Sequence, residues 1–192
     1  MKYNIQILSK HNAVLYDMKD IDETTIAIAV NCPNETPHRF RNPMIKDILY
    51  LYFDDITEEQ YNKSCNKGKL VLFNTKHARQ IHDFIDRNKD IYNIIVHCAM
   101  GVSRSGAVGV IISKYLNRDD LYLYKRGGIQ PNETVYRLMC EEFNIKFDKE
   151  EFQRKIKISN KKTNEIVGKM YADYGLRLNI DDMFVDGEIK II

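Results

Sequence analysis

The sequence predicts an α/β protein, a mainly parallel central sheet flanked by helices, with a Cys-x5-Arg loop at the carboxyl end of one strand. Three observations predict it. Apolar β-branched runs alternate with helix-period segments, the pattern of strands joined by crossover helices. The run Tyr92-Asn93-Ile94-Ile95-Val96 leads into His97-Cys98-Ala99-Met100-Gly101-Val102-Ser103-Arg104, and a helix-like stretch follows. Ligands of open parallel sheets sit outside the carboxyl ends of the strands, and Cys98 falls at such an end.

Taken in order, residues 2–8 alternate polar and apolar and predict a strand, a pattern unlike a signal peptide. Ala13–Met18 reads as a short helix, and Thr25–Val30 as a strand of alternating β-branched residues. Three of the four prolines fall in 31–43, which reads as a loop. Ile48–Phe53 is a buried strand. Thr57-Glu58-Glu59-Gln60 has capping-box spacing for a helical turn. From Asn74 to Arg87, the residues Ala78, Ile81, Phe84 and Ile85 share one helical face. Tyr92–Val96 is the strand feeding the loop, and Ser105–Leu116 the helix after it. Pro131 suits the first turn of a later helix that turns Val135, Leu138, Met139 and Phe143 inward. Asp186-Gly187 between two apolar runs is a hairpin signal.

The chain has 192 residues, enough for one domain with a small extension. We read 1–145 as the catalytic domain and 146–192 as an accessory extension packed on it. Arg154, Lys155, Lys157, Lys161 and Lys162 lie in a charged run that reads as a solvated face. The net charge of +2 gives no bulk electrostatic case for nucleic acid or an anionic membrane. No apolar run approaches the roughly 18 residues of a membrane span. The four cysteines, at 32, 65, 98 and 140, form no CxxC pair. That spacing argues against a metal site or disulfide framework and for a reducing, cytoplasmic setting. The histidines show no ligand spacing, so neither metal nor cofactor is expected.

The loop carries the chemistry. Five residues between Cys98 and Arg104 let the backbone curl so that several N–H groups converge on one centre. The following helix adds its positive end. Gly101 supplies backbone freedom. Arg104 offers a planar fork matched to two phosphate oxygens. Cys98 lies at the bottom, where this surrounding favours the thiolate. The pattern points to a phosphate ester attacked by sulfur, its oxygens held by Arg104 and the amides of Ala99, Met100, Gly101, Val102 and Ser103. One carboxylate then serves as acid and later as base. Asp54 and Asp55 are the candidates, since they follow an apolar strand at the same sheet edge. Asp55, two residues past Phe53, is preferred because it should have left the strand. Asp47 and Asp83 are weaker alternatives.

With these residues, His97-Cys98-Ala99-Met100-Gly101-Val102-Ser103-Arg104-Ser105-Gly106 resembles the signature loop of the cysteine-dependent protein tyrosine phosphatases. The Ser-Arg-Ser ending is closest to the compact dual-specificity branch and its small bacterial and viral relatives. Leu51-Tyr52-Phe53-Asp54-Asp55 resembles the strand and loop carrying that family's acid. Ile129-Gln130-Pro131-Asn132 resembles its Pro-Asn segment. The resemblance covers about residues 45–145. It implies that His97 is hydrogen-bonded behind the loop and tunes the thiolate, that Ser105 bonds Cys98 and helps it leave, and that Asn132 braces the loop. Asp55 and Asp54 precede Cys98 by 43 and 44 residues. That is longer than the family's interval and places an insertion near Thr57–Lys69.

The implied substrate is a phosphorylated protein or peptide, phosphotyrosine first, with phosphoserine and phosphothreonine as further candidates. The loop interior lacks Lys and Arg, which disfavours a phosphoinositide headgroup. Two other readings stay open: a phosphate-dependent binding module, and an RNA or nucleotide 5′-phosphatase on the same loop. Oligomeric state is not legible.

Overall fold

In the computed structural model, which describes residues 3–21, 23–117, 119–174, 184–185 and 188–189, four apolar runs form one sheet. They are β1 (Asn4–Ser9), β2 (Thr25–Asn31), β3 (Ile45–Tyr52) and β4 (Asn93–Cys98), in the order β1-β4-β2-β3, and every pair is parallel. The two central strands, β2 and β4, are buried at every position, as strands covered on both faces must be.

Side chains alternate across a strand, and this sets the two cores. Ile26, Ile28, Val30, Ile94, Val96 and Cys98 face the larger one, built with α3 (Thr75–Arg87), α4 (Arg104–Asn117) and α6 (Glu133–Glu142). Ala27 and Ile95 face the smaller one, closed by Leu8, Tyr16, Ile21 and Phe40, with Tyr16 on α1 (Lys10–Asp17). Residues 104–113 of α4 are all buried, because this helix is packed between the sheet and α6. The apolar face of α3 is as the sequence predicts, with Ala78, Ile81, Phe84 and Ile85 buried. Each of the larger three contributes about 1.5–3 kcal/mol by leaving water.

Some boundaries differ from expectation for local reasons. α1 starts at Lys10 because Ser9 caps it, its side chain accepting from Asn12 N–H. The predicted turn at Thr57 is α2 (Glu58–Lys63), with the capping box formed by Thr57 and Gln60. Pro131 does not sit in the first turn of α6. Asn132 takes the cap by accepting from Thr134 and Val135 N–H, which leaves Pro131 one residue outside.

Two helices were not legible: α5 (Leu121–Lys125) and the long α7 (Lys149–Tyr174), which pack on each other. The charged run therefore lies on α7, and it is not all solvated. Lys155 is buried between Asp120 and Glu151, 2.6 Å from each. β5 (Phe184–Val185) pairs antiparallel with β6 (Glu188–Ile189), and the turn pair Asp186-Gly187 lies outside the described residues. Among the described residues, no helix is long and apolar enough to cross a membrane.

Candidate active site

β4 runs out at Cys98, paired in register with Ser9 at the end of β1. The chain then turns through 99–103 and enters α4 at Arg104. The turn is held from both sides. Lys10 N–H donates to Ala99 O at 3.1 Å, Gln130 N–H to Val102 O at 3.2 Å, and Asn132 N–H to Ser103 O at 3.3 Å. In a planar trans peptide the N–H points opposite to the C=O. Three carbonyls anchored outward therefore turn the N–H groups of Met100, Ser103 and Arg104 toward the concave side. Gly101 has φ +76°, and a Cβ there would lie 2.5 Å from Ser9 N. Only glycine allows the loop to lie this close to the end of β1.

Cys98 is 2 % exposed. Its Sγ accepts from Gly101 N–H at 3.3 Å and lies 3.1 Å from Ser105 Oγ. Arg104 is also buried. One Nη1 donates to Phe53 O at 2.9 Å and to Cys32 Sγ at 3.3 Å. Its Nε, 3.9 Å from an Asp55 oxygen, has no hydrogen-bond partner. Burial opposes its charge, but Cys32, Cys98 and Asp55 outweigh it and hold the guanidinium above its usual value. A buried guanidinium whose Nε has no hydrogen bond, beside a loop whose carbonyls are bonded outward, has donors of the kind a tetrahedral anion takes.

The two candidate acids part company. Asp55, on the exposed side of the loop, accepts at Oδ1 from Ser103 Oγ at 2.7 Å and from Asn132 Nδ2 at 3.1 Å. Asp54 turns away. Its carboxylate accepts from Val71 N–H at 2.8 Å while its own N–H donates to Val71 O, also at 2.8 Å, so it closes the loop 54–71. Asp47 is bonded to Arg87 and Asn88 near the start of β3. Asp83 is exposed on α3.

The structure thus brings together Cys98, Gly101, Ser103, Arg104, Ser105, Asn132 and Asp55, and leaves Asp54, Asp47 and Asp83 outside. His97 is not hydrogen-bonded behind the loop as the resemblance implied. Strand alternation puts it on the opposite face from Cys98, fully buried, with Phe40 edge-on at 5.7 Å and no partner on either ring nitrogen. Burial pushes its pKa down to about 4, although the adjacent Cys98 backbone pulls slightly the other way. Cys32 was not singled out as a site residue. The available signal was its place just past β2, at the same sheet edge as Cys98. Among the described residues, no cluster of three or more His, Cys, Asp or Glu is placed to hold a metal ion.

No family model matches the chain, and no curated protein does. Solved structures do resemble it. The human tyrosine phosphatase-like serine/threonine/tyrosine-interacting protein is 18% identical with a TM-score of 0.42, covering 61% of this chain and 74% of that one. Tk-PTP in its active form is 14% identical with a TM-score of 0.38, covering 80% and 87%. Human DUSP28 is 11% identical with a TM-score of 0.36, covering 84% and 94%.

Proposed function

We propose that the chain is a cysteine-dependent protein phosphatase. One arrangement carries the reading: a single loop holds a buried thiol that accepts from a loop N–H and a buried arginine whose Nε has no hydrogen bond, and the carboxylate of Asp55 accepts from Ser103 Oγ of that loop. Residues 1–145 form the catalytic domain of this reading, and 146–192 an extension packed on it.

In the first step the Cys98 thiolate attacks phosphorus in line with the ester oxygen. The S–P bond forms as the P–O bond breaks. Asp55, protonated for this step, gives its proton to the departing oxygen. The N–H groups and the Arg104 fork hold the three equatorial oxygens, where the charge develops. In the second step Asp55, now a carboxylate, takes a proton from water. The water oxygen attacks phosphorus, the P–S bond breaks, and Ser105 donates a hydrogen bond to the departing sulfur at the contact it already makes with it. Arg104 and the amides supply the neutralising charge, so the reaction as written calls for no metal.

The loop interior is uncharged, and Met100 at its rim is 65 % exposed. An uncharged, partly apolar rim suits an aryl phosphate on a protein better than a polyanionic headgroup. Phosphotyrosine is the first substrate of this reading, with phosphoserine and phosphothreonine after it. Four cysteines that form no disulfide suit a reducing compartment such as the cytoplasm.

The test is hydrolysis of para-nitrophenyl phosphate at mildly acidic pH, with chelator and reductant present. Activity in the wild type that vanishes in Cys98→Ser supports the reading. A folded, reduced wild type that binds phosphate without turnover replaces it with the phosphate-dependent binding module.

A further inference from the structure

The strap 127–131 between α5 and α6 is bonded on both sides. Toward the signature loop, Gln130 N–H holds Val102 O, and Asn132 N–H just beyond it holds Ser103 O. Away from the loop, α7 supplies three acceptors in a row. Thr163 Oγ1 takes the Gly128 N–H at 2.8 Å, Ser159 Oγ takes the Ile129 N–H at 3.1 Å, and Asn160 Oδ1 takes Gln130 Nε2 at 3.1 Å. Ser159 and Thr163 are one helical turn apart and share a face, and Thr163 Oγ1 also donates to Ser159 O at 2.9 Å. Ser159 is fully buried. The strap can lie this close because Gly127 has φ +78°, and a Cβ there would stand 3.1 Å from Thr163 N.

These contacts form a chain of constraint. A buried N–H requires a partner, and Ser159 Oγ supplies it for Ile129, while Thr163 Oγ1 holds the neighbouring, exposed Gly128 N–H. The strap then holds the Val102 carbonyl, and peptide planarity sets the Ser103 N–H opposite to it; the Ser103 carbonyl is shared between Asn132 N–H and the first-turn bond from Ala107 N–H at 2.9 Å. An extension that served only to cover apolar surface would need Phe152 and its aromatic neighbours Tyr136 and Phe147. It would not need a buried hydroxyl aimed at the backbone of this strap.

We propose that α7 positions the anion-binding amides, with Ser159 and Thr163 as positioning residues acting through the strap. This rests on the phosphatase reading. The full-length wild type, Ser159→Ala, Thr163→Val, the double variant and Ser159→Thr would be compared. The measurements are kcat and KM for para-nitrophenyl phosphate, inhibition by inorganic phosphate, and thermal melting. We expect KM and the phosphate inhibition constant to rise about tenfold in the double variant, the equivalent of about one net hydrogen bond. Ser159→Thr, which keeps the hydroxyl, restores both. Variants that melt earlier yet bind phosphate as the wild type does overturn the proposal and leave α7 a covering element. If Ser159→Ala does not fold, Thr163→Val, whose side chain is half-buried, carries the same comparison. An active wild type with unaltered variants overturns this inference alone. A folded wild type that neither turns over substrate nor binds phosphate overturns it together with the phosphatase reading.

Discussion

Asp55 accepts a 2.7 Å hydrogen bond from Ser103 Oγ, a residue of the same loop that carries Cys98. That contact, with the one from Asn132 Nδ2, ties a carboxylate on the 54–71 loop to the turn between Cys98 and Arg104. Asp54, its neighbour in sequence, makes no such contact and clasps Val71. Asp55→Asn should therefore lower kcat for an alkyl phosphate by about 10²–10³, within the span of general acid catalysis. The loss should be much smaller for an aryl phosphate whose leaving group needs little protonation. Equal losses on both esters would remove Asp55 as the acid.

Asp54→Ala should act on stability. It removes one end of the Val71 clasp and costs about 1 kcal/mol, the net worth of a typical hydrogen bond, with kcat falling only as far as Asp55 is displaced. Urea unfolding and the alkyl-to-aryl rate ratio together check this. A ratio changed as strongly as in Asp55→Asn would mean that Asp54 transfers the proton.

Arg104→Lys keeps the charge and loses the fork. The guanidinium reaches Phe53 O and Cys32 Sγ with Nη1 while its Nε stays free, and an ammonium is a single point of donation on a flexible stem. A fall of about 10²–10³ in kcat/KM is expected, the scale of losing one oriented donor to a charged transition state. Preserved kcat/KM would show that charge alone holds the phosphate.

Gly101→Ala meets two obstacles at once, a positive φ and the Ser9 backbone 2.5 Å from the added carbon. The conformational term alone is about 1–3 kcal/mol, and relieving the clash must move either the loop or the end of β1. The melting temperature should drop and phosphate binding should weaken together. A variant as stable as the wild type would show that the loop does not need this close approach.

The sheet and the signature loop were legible because they depend on local patterns. β-branched runs of strand length and a Cys-to-Arg interval can be read within a few residues. What was not legible depends on distance along the chain. Lys155 reads as one charge in a basic run, yet it is buried because Asp120, 35 residues earlier, lies beside it. Ser159 and Thr163 read as ordinary helix-surface residues, and only folding sets them against the Gly127-Gly128 strap. Asp54 and Asp55 are adjacent and chemically identical. Which one reaches Ser103 and Asn132 is decided by Val71, at the far end of a loop whose path the sequence does not reveal. Strand periodicity already holds the placement of His97 off the Cys98 face, since consecutive residues of a strand face opposite sides; the pairing of its ring nitrogens depends on the fold around it.

His97 then makes a prediction about acid stability. In the folded chain it titrates at about 4 instead of the ordinary 6.5, because burial penalises the charged ring. Above about pH 6.5 it is neutral in both states, and stability is unaffected. As pH falls from 6.5 toward 4, the unfolded chain binds a proton that the folded chain refuses, so unfolding is favoured. The loss approaches about 3 kcal/mol near pH 4, from roughly 1.4 kcal/mol per unit. His97→Phe removes the titrating group while keeping a ring against Phe40. Urea unfolding at pH 7 and at pH 4.5 should show the wild type losing stability more steeply than the variant. Parallel losses in the two proteins would mean that His97 is protonated in the folded state, and that its ring finds a partner at low pH.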